Sequence, residues 1–467
     1  MKENVSIRYG IFFTIFGVLS IFLSACTMGP DYVKPEVETP AQFKFAGGQQ
    51  GPDEKMKEKW WLLFEDVLLT QLIEESMTNN YDLKAAFHKL EQARSSARIA
   101  RSGLFPFFNA EPAFQRRGQS ENITGVPGGT SDTWLLPFNM GYEIDLFGRI
   151  RRGYEASQAE TEAVEEDLNS IRLILQTDIA LNYFAMRSFD EDIRIVNRAI
   201  EVRQEQLKIL KNRHKYGAIS RLPLARASAE LSATEALLYD LMRKRTRIEN
   251  AIAVLLGKTP SEISLRPDPL NTPPPEIPVV VPSRLLTARP DIRRAERIMA
   301  AENARIGVAE ASLYPQIRIM GDAGFASSSS GNLFDSTSFT WGIIPSISIP
   351  IFEGGRRIAD LERAGARYAE VYARYRQTII RAFGDTENAL VSADFLKKQA
   401  AANRRAVKSS EQAYQLSKKQ YEGGMVNYLS ALDSERTFLD NLRLESQLRG
   451  QRYISAVNLI KSIGGSW

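Results

Sequence analysis

With 467 residues, 25% of them charged and 43% hydrophobic, the chain is long enough for a large core or for two or more domains. Its net charge of +4 gives no electrostatic case for a nucleic-acid partner. A single Cys excludes a disulfide framework, and 2 His argue against a Cys/His metal cluster.

Lys2 and Arg8 precede a short apolar run, residues 11–23, which is too short to span a bilayer and suits a signal peptide over residues 1–25. The run closes in Leu23-Ser24-Ala25-Cys26. That segment resembles the bacterial lipobox, which implies lipidation at Cys26; a buried Cys behind an ordinary signal peptide is the alternative. Thr27 follows rather than Asp, which the same resemblance ties to the outer membrane. An acyl anchor attaches a chain without spanning the bilayer. Residues 26–81 read as a lipidated extended segment, broken by Pro30, Pro35 and Pro40, and a first helix from near Trp60. Residues 82–258 form the next region. A helix starts at Asp82, the expected N-cap, and runs to about Leu104. A strand over about 107–117 and an exposed Gly/Pro-rich loop over about 118–133 follow.

Trp134, Leu136, Phe138, Met140, Tyr142, Ile144 and Leu146 then alternate with Asn139, Gly141, Glu143 and Asp145. Farther on, Phe339, Trp341, Ile343, Ile347, Ile349 and Ile351 alternate with Thr340, Gly342, Ser346 and Ser348. Strict alternation predicts strands with one apolar and one polar face. With a strand over about 316–326, about four strands have no second sheet to pack on. Lipid could cover their apolar face, but lipid admits only closed barrels and four strands are too few to close one. The barrel must be shared between copies of the chain.

After Gly148, Val164, Leu168, Ile171, Leu175, Ile179, Tyr183 and Met186 step by three and four, and the series continues to Tyr216-Gly217. At ~1.5 Å per residue this predicts roughly 100 Å of helix. A turn over residues 217–223 and a helix to Leu256 complete the region, and a Pro-rich linker occupies residues 259–290. Residues 291–467 repeat the pattern: Leu104-Phe105-Pro106 returns as Leu313-Tyr314-Pro315, Trp134 as Trp341, Gly148-Arg149 as Gly355-Arg356 and Gly217 as Gly424. The chain is read as internally duplicated, with a two-residue length difference in the strands or their loop.

Gly29-Pro30-Asp31-Tyr32 with Pro35, Trp60-Trp61 with Phe64 and Asp66, and Glu143-Ile144-Asp145-Leu146-Phe147-Gly148-Arg149 occur in that order. Pro282-Ser283-Arg284-Leu285-Leu286, Arg289-Pro290-Asp291-Ile292, and Tyr421, Gly424 and Leu429 follow. Together they resemble the TolC-like outer-membrane channel family, in its lipoprotein branch serving RND-type pumps. The departures are Ala288, where a basic residue is commoner, and Ser430, where an acid is frequent. The resemblance implies a mainly α fold with a β-barrel. Three protomers with four strands each would make a homotrimeric 12-stranded outer-membrane β-barrel, continued by a long periplasmic α-helical barrel. It implies an efflux duct that conducts drugs or other small toxic molecules and works with a periplasmic adaptor (membrane fusion) protein and an inner-membrane RND-type pump. The alternatives are a type I protein-secretion duct and a lipid-tethered coiled-coil scaffold without a pore.

Within this reading Asn139, Glu143, Asp145, Arg318 and Asp322 line the lumen of the barrel, a half-exposed soluble sheet being the alternative. Trp134 and Trp341 are membrane-belt residues or ordinary packing residues. Arg149, Arg151, Arg152, Arg356 and Arg357 either meet lipid phosphates or form a solvated basic turn. The turns carrying Gly217, Ser220 and Arg221 and Gly424, Asn427 and Tyr428 are tips for adaptor contact, or plain helical turns. Asp433, matched by Arg226 in the first half, is a gate carboxylate pairing with that or another tip cation, or a solvated surface acid. No catalytic constellation or phosphate loop appears, so neither enzyme activity nor a cofactor is expected.

Overall fold

A computed structural model describes residues 27–45, 59–120, 122, 128–270, 273–277 and 282–465. Cys26, the expected signal peptide 1–25 and residues 123–127 of the first strand loop lie outside them. The described elements run in chain order as α1 (Val67–Asn79), α2 (Tyr81–Ser102), β1 (Phe107–Ala110), β2 (Ala113–Gln119), β3 (Gly129–Ile144), α3 (Arg149–Lys215) and α4 (Arg221–Leu255). The second half contributes α5 (Pro290–Ala311), β4 (Gln316–Ser327), β5 (Phe339–Ser348), α6 (Arg356–Glu422) and α7 (Tyr428–Ser462). The duplication is visible in lengths: α2 and α5 have 22 residues each, α3 and α6 67 each, and α4 and α7 35 each. Phe107 pairs with Gly141 as Gln316 pairs with Ser348, and Arg116 pairs with Asp132 as Phe325 pairs with Phe339. The strands therefore match throughout, and the two-residue difference falls in the hairpin loop beyond the Arg116–Asp132 pair.

The start of α2 differs from expectation. Asn80, not Asp82, caps it: the Asn80 carboxamide oxygen accepts from the Leu83 amide at 2.9 Å, while its NH2 donates to the Leu255 carbonyl. Asp82 lies in the first turn instead.

The chain divides into two compact units. The first comprises residues 1–36, 89–165 and 294–376 and holds the sheet. All pairings are antiparallel, in the order β1–β3–β4–β5, with β2 also on β3. Ala110 faces Phe138 and Ala113 faces Leu135, so β1 and β2 are two halves of one strand, interrupted at Glu111-Pro112 without an inserted residue. Pro112 has no N–H to give to the ladder. The sheet thus has the four expected strands.

Directly opposed residues share a face. Phe114 opposes Trp134, Phe108 opposes Met140, Leu136 opposes Phe325, and Ile317 lies between Ile144 and Ile347. This face stays open to its surroundings: Phe108, Phe138, Trp341, Ile343 and Ile347 are each more than half exposed. Among the described residues no helix is long and apolar enough to cross a membrane. The apolar surface is on the strands.

An extended N-terminal strap crosses the first unit. The Met28 amide donates to the Phe147 carbonyl at 3.1 Å, and Asn303 Nδ2 donates to the Pro30 carbonyl at 2.7 Å. Arg152 is buried beneath the strap, donating to the Met28 and Gly29 carbonyls and to Asp31 Oδ1. Gly29 has a φ of +85°, and a Cβ on it would strike the Gly307 backbone. Both glycines are needed for that crossing. Tyr32 donates its hydroxyl proton to Glu296 Oε1.

The second unit comprises residues 37–88, 166–293 and 377–467. Phe64, Phe184 and Tyr453 stack at its centre, with ring centroids 4.9 and 4.5 Å apart along that order, and Trp60 is 1% exposed. Asp66 Oδ1 accepts from the Leu69 amide at 2.9 Å, capping α1, while Oδ2 accepts from the Tyr183 hydroxyl. The Trp-Trp, Phe and Asp motif read from the sequence is this aromatic core and its cap.

Candidate functional sites: the strand–helix junction and the helical tips

The second face of the sheet is polar. Asn139 lies opposite Asp322, and Glu143 opposite Arg318, whose Nε is 3.4 Å from Glu143 Oε2. Arg149 donates to the other oxygen of Glu143 through Nε and Nη2, at 3.0 and 2.8 Å. One carboxylate thus joins strand β4 to the first turn of α3. Asp145, expected among these strand residues, lies past the end of β3. It accepts from the Ile150 and Arg151 amides at 3.0 and 2.8 Å, so it satisfies the first turn of α3 as a cap does. Trp134 and Trp341 share the apolar face but not a row: Trp134 packs on Phe114 with centroids 4.7 Å apart, and Trp341 faces Ala323.

A row of residues on the polar face departs from alternation. Phe107 opposes Gly141, Gly141 opposes Met320, and Met320 opposes Ile344. The Phe107 ring covers Gly141 where a Cβ would otherwise stand. A cavity of about 670 Å³ opens beside this row, lined among others by Phe105, Phe107, Met320, Arg149 and Arg318.

Next to it lies a groove of about 750 Å³ between α5 and α6. Glu302, Arg305 and Ala309 reach it from α5 and Ser312 from just past its end, and Arg356, Asp360, Arg363 and Arg367 from α6, each set at the three-and-four spacing of a single helix face. Arg149 and Arg357 complete its walls. Arg363 is 3.2 Å from Asp360, Arg305 is 2.7 Å from Glu302, and Arg367 is 3.6 Å from Glu302. Of the arginines offered as lipid-phosphate contacts, Arg152 is buried under the strap and Arg149 turns to the polar sheet face. Arg151 binds Asp145, and Arg356 and Arg357 bind Glu353.

Both tips close with the same turn. The Ala218 amide donates to the Arg213 carbonyl and the Met425 amide to the Gln420 carbonyl, each at 2.8 Å, around Gly217 and Gly424 at φ of +73° and +75°. This is the left-handed C-terminal cap for which glycine is suited. Ser220 precedes α4 without a side-chain cap bond, and Arg221 is its first residue. Asn427 does cap α7, accepting from the Ser430 amide at 3.0 Å. Tyr428 packs against the cluster of Leu207, Leu210 and Ala227, joining the two tips. Burial, ahead of nearby Glu435, pushes its hydroxyl up to about 12. Tyr216, Leu222, Met425 and Leu429 remain exposed.

Asp433 and Arg226 are exposed, and no ion pair joins them within the protomer. The charges that do connect the halves were not singled out in the sequence. Arg203 of α3 bonds Glu435 of α7 at 3.1 Å and reaches Glu230 and Thr234 of α4. Gln206 donates to the second oxygen of Glu435 at 2.9 Å, and Arg436 pairs with Glu230. Arg203 and Glu435 are 5% and 7% exposed. A signal was available: 207 residues away in the duplicate, Arg203, Glu230, Glu435 and Arg436 are matched by Ser410, Thr437, Ser228 and Ala229. Each charge exists in one half only.

Among the described residues no group of three or more His, Cys, Asp or Glu side chains could hold a metal ion. The family model for outer membrane efflux proteins matches residues 72–258 and 281–465. The cation efflux system protein CusC of Escherichia coli is 29% identical over 454 residues, covering 96% of this chain and 97% of that protein. The toluene efflux pump outer membrane protein TtgF of Pseudomonas putida is 30% identical over 462 residues, covering 96% of each. The solved outer-membrane channel OprN superposes with a TM-score of 0.88 at 30% identity, covering 94% of this chain and 99% of that one.

Proposed function

The chain belongs to the outer membrane efflux protein family, as the outer-membrane channel subunit of a tripartite efflux system, and from that premise we propose how its own residues attach, dock and close it. Its four strands supply one third of a homotrimeric twelve-stranded barrel, continued by an α-helical barrel. The observation that carries this reading is the sheet itself. One face is apolar and open along all four strands, and the outer edges of β1/β2 and β5 have no strand partner among the described residues. In lipid an open edge leaves backbone groups unpaired at several kcal/mol each, and neighbouring copies remove that cost.

Cys26 carries the lipid anchor, and the strap clamped by Arg152 leads from it to the sheet. Asn139, Glu143, Arg318 and Asp322 face the aqueous lumen, and Trp134 and Trp341 face lipid at its margins. The exposed apolar residues at the tips, Tyr216, Leu222, Met425 and Leu429, are the docking surface for a periplasmic adaptor, through which an RND-type inner-membrane pump loads the duct. Asp433 and Arg226 pair across neighbouring protomers when the entrance is shut. Cargo is small toxic molecules; the relatives' names divide between cations and toluene, so no single cargo class follows from likeness.

Three experiments test this reading. Cys26→Ser should lose incorporated radioactive palmitate, and retained label would refute the anchor. Met425→Glu and Ser220→Glu should lower cellular drug efflux at least severalfold while leaving the trimer intact, and Asp433→Ala should raise pore conductance. Asn427 is a poor probe because its replacement also removes a helix cap worth about 1 kcal/mol. Undiminished efflux in both tip variants would move adaptor docking elsewhere.

A further inference from the structure

We propose that the arginine groove and the apolar row beside it form one subsite in the lumen, which holds amphipathic organic anions in transit. The proposal rests on the channel reading above. The side on which the groove opens follows from α5. Glu296, Asn303 and Gly307 lie on the face of α5 that meets the strap. Glu302, Arg305 and Ala309 lie on the opposite face at 100° per residue. The groove continues through Gln316 into the polar face of β4, where Arg318 pairs with Glu143, the carboxylate that also holds Arg149. It therefore opens toward water in the barrel interior, away from the strap.

The chemistry of the walls selects the ligand. Six guanidinium groups and two carboxylates, Glu302 and Asp360, line the groove; Glu143, Glu160, Glu353 and Glu370 beside it also pair with Arg149, Arg305, Arg356 with Arg357, and Arg367, which leaves Arg363 its most open cation. Arg363 and Arg356 are 81% and 63% exposed at the side chain, so their pairs with Asp360 are solvent-screened and weak. Their unused N–H donors match the planar, bidentate geometry of carboxylate, sulfonate or phosphate. Arg149 lines both the groove and the neighbouring cavity, where Phe107 and Met320 present apolar surface. An acidic head in the groove and an apolar body against that row use both at once. Inorganic anions would use only the first, and amphipathic cations only the second.

The subsite belongs to one half of the duplication. Glu302, Arg305, Asp360, Arg363 and Arg367 correspond to Ala93, Ser96, Gly153, Ala156 and Glu160 in the first half. The trimer therefore carries three such subsites at one level of the duct, rather than six.

The test is calorimetric titration of the detergent-solubilised full-length trimer with 2-naphthalenesulfonate, with sodium sulfate and 2-naphthylmethylammonium as comparison ligands. The sulfonate should bind at least tenfold more tightly than either. Arg363→Gln/Arg367→Gln should weaken the sulfonate and sulfate together at least fivefold. Met320→Gln, which keeps side-chain length, should weaken the sulfonate alone. Equal affinity for the sulfonate and the ammonium, or unchanged sulfonate affinity in the arginine variant, would overturn the subsite. The same preparation in planar bilayers separates the two readings: a conducting pore whose current the sulfonate and ammonium block equally refutes the subsite alone, whereas a preparation that never conducts refutes the channel and the subsite with it.

Discussion

Asp192 is 2% exposed and faces Gln447, which donates to its Oδ2 at 3.1 Å, and Arg443 at 3.9 Å. Burial, outweighing those partners, holds its pKa above the ordinary carboxylate value. The folded chain therefore binds this proton more tightly than the unfolded chain does. Asp192 thus favours folding most at a pH below the ordinary carboxylate pKa and costs stability as pH rises above it. Asp192→Asn keeps an acceptor for Gln447 and removes the buried charge. It should raise the thermal midpoint at pH 7, and the gain should vanish as pH falls through about 4; a midpoint lowered at pH 7 would show that pairing with Arg443 outweighs burial. At this scale the sequence was a partial guide. It placed an N-cap at Asp82 and a lumen carboxylate at Asp145, whereas Asn80 is the cap of α2 and Asp145 accepts from the first-turn amides of α3. Acids near helix starts read alike in one dimension, and only backbone geometry separates cap, first turn and strand face.

The elements were more legible. A three-and-four hydrophobic step is hard to sustain by chance over 67 residues, so α3 and its glycine-closed end could be read directly, and α6 followed from the repeated motifs. The ties between them could not, since Arg203, Glu230, Glu435 and Arg436 lie far apart in sequence and meet only through helix packing. The Arg203–Glu435 pair is almost wholly buried, so removing one partner strands a charge. Glu435→Ala should cost about 3 kcal/mol. It should also speed amide exchange in α7 near Tyr428 and in α3 near Arg203, measured by hydrogen exchange of the intact trimer. Unchanged exchange at both places would mean that the hydrophobic cluster around Leu207 and Tyr428 alone holds the tips.

On the scale of the whole molecule, the alternation of apolar and polar residues was enough to require a barrel built from several chains, because four strands neither close alone nor find a second sheet. It was not enough to show the row of Phe107, Met320 and Ile344 on the polar face, since two of these read as isolated lapses in otherwise polar positions. The adjoining groove was equally hidden: its arginines come from three helices, and of them only Arg149, Arg356 and Arg357 stood out, as basic turns. The central claim is that the chain completes its sheet only by sharing it. Light scattering of the detergent-solubilised protein, corrected for bound detergent, tests this most directly: the account predicts a protein mass of three chains, and a stable, folded species with the mass of one chain would contradict it.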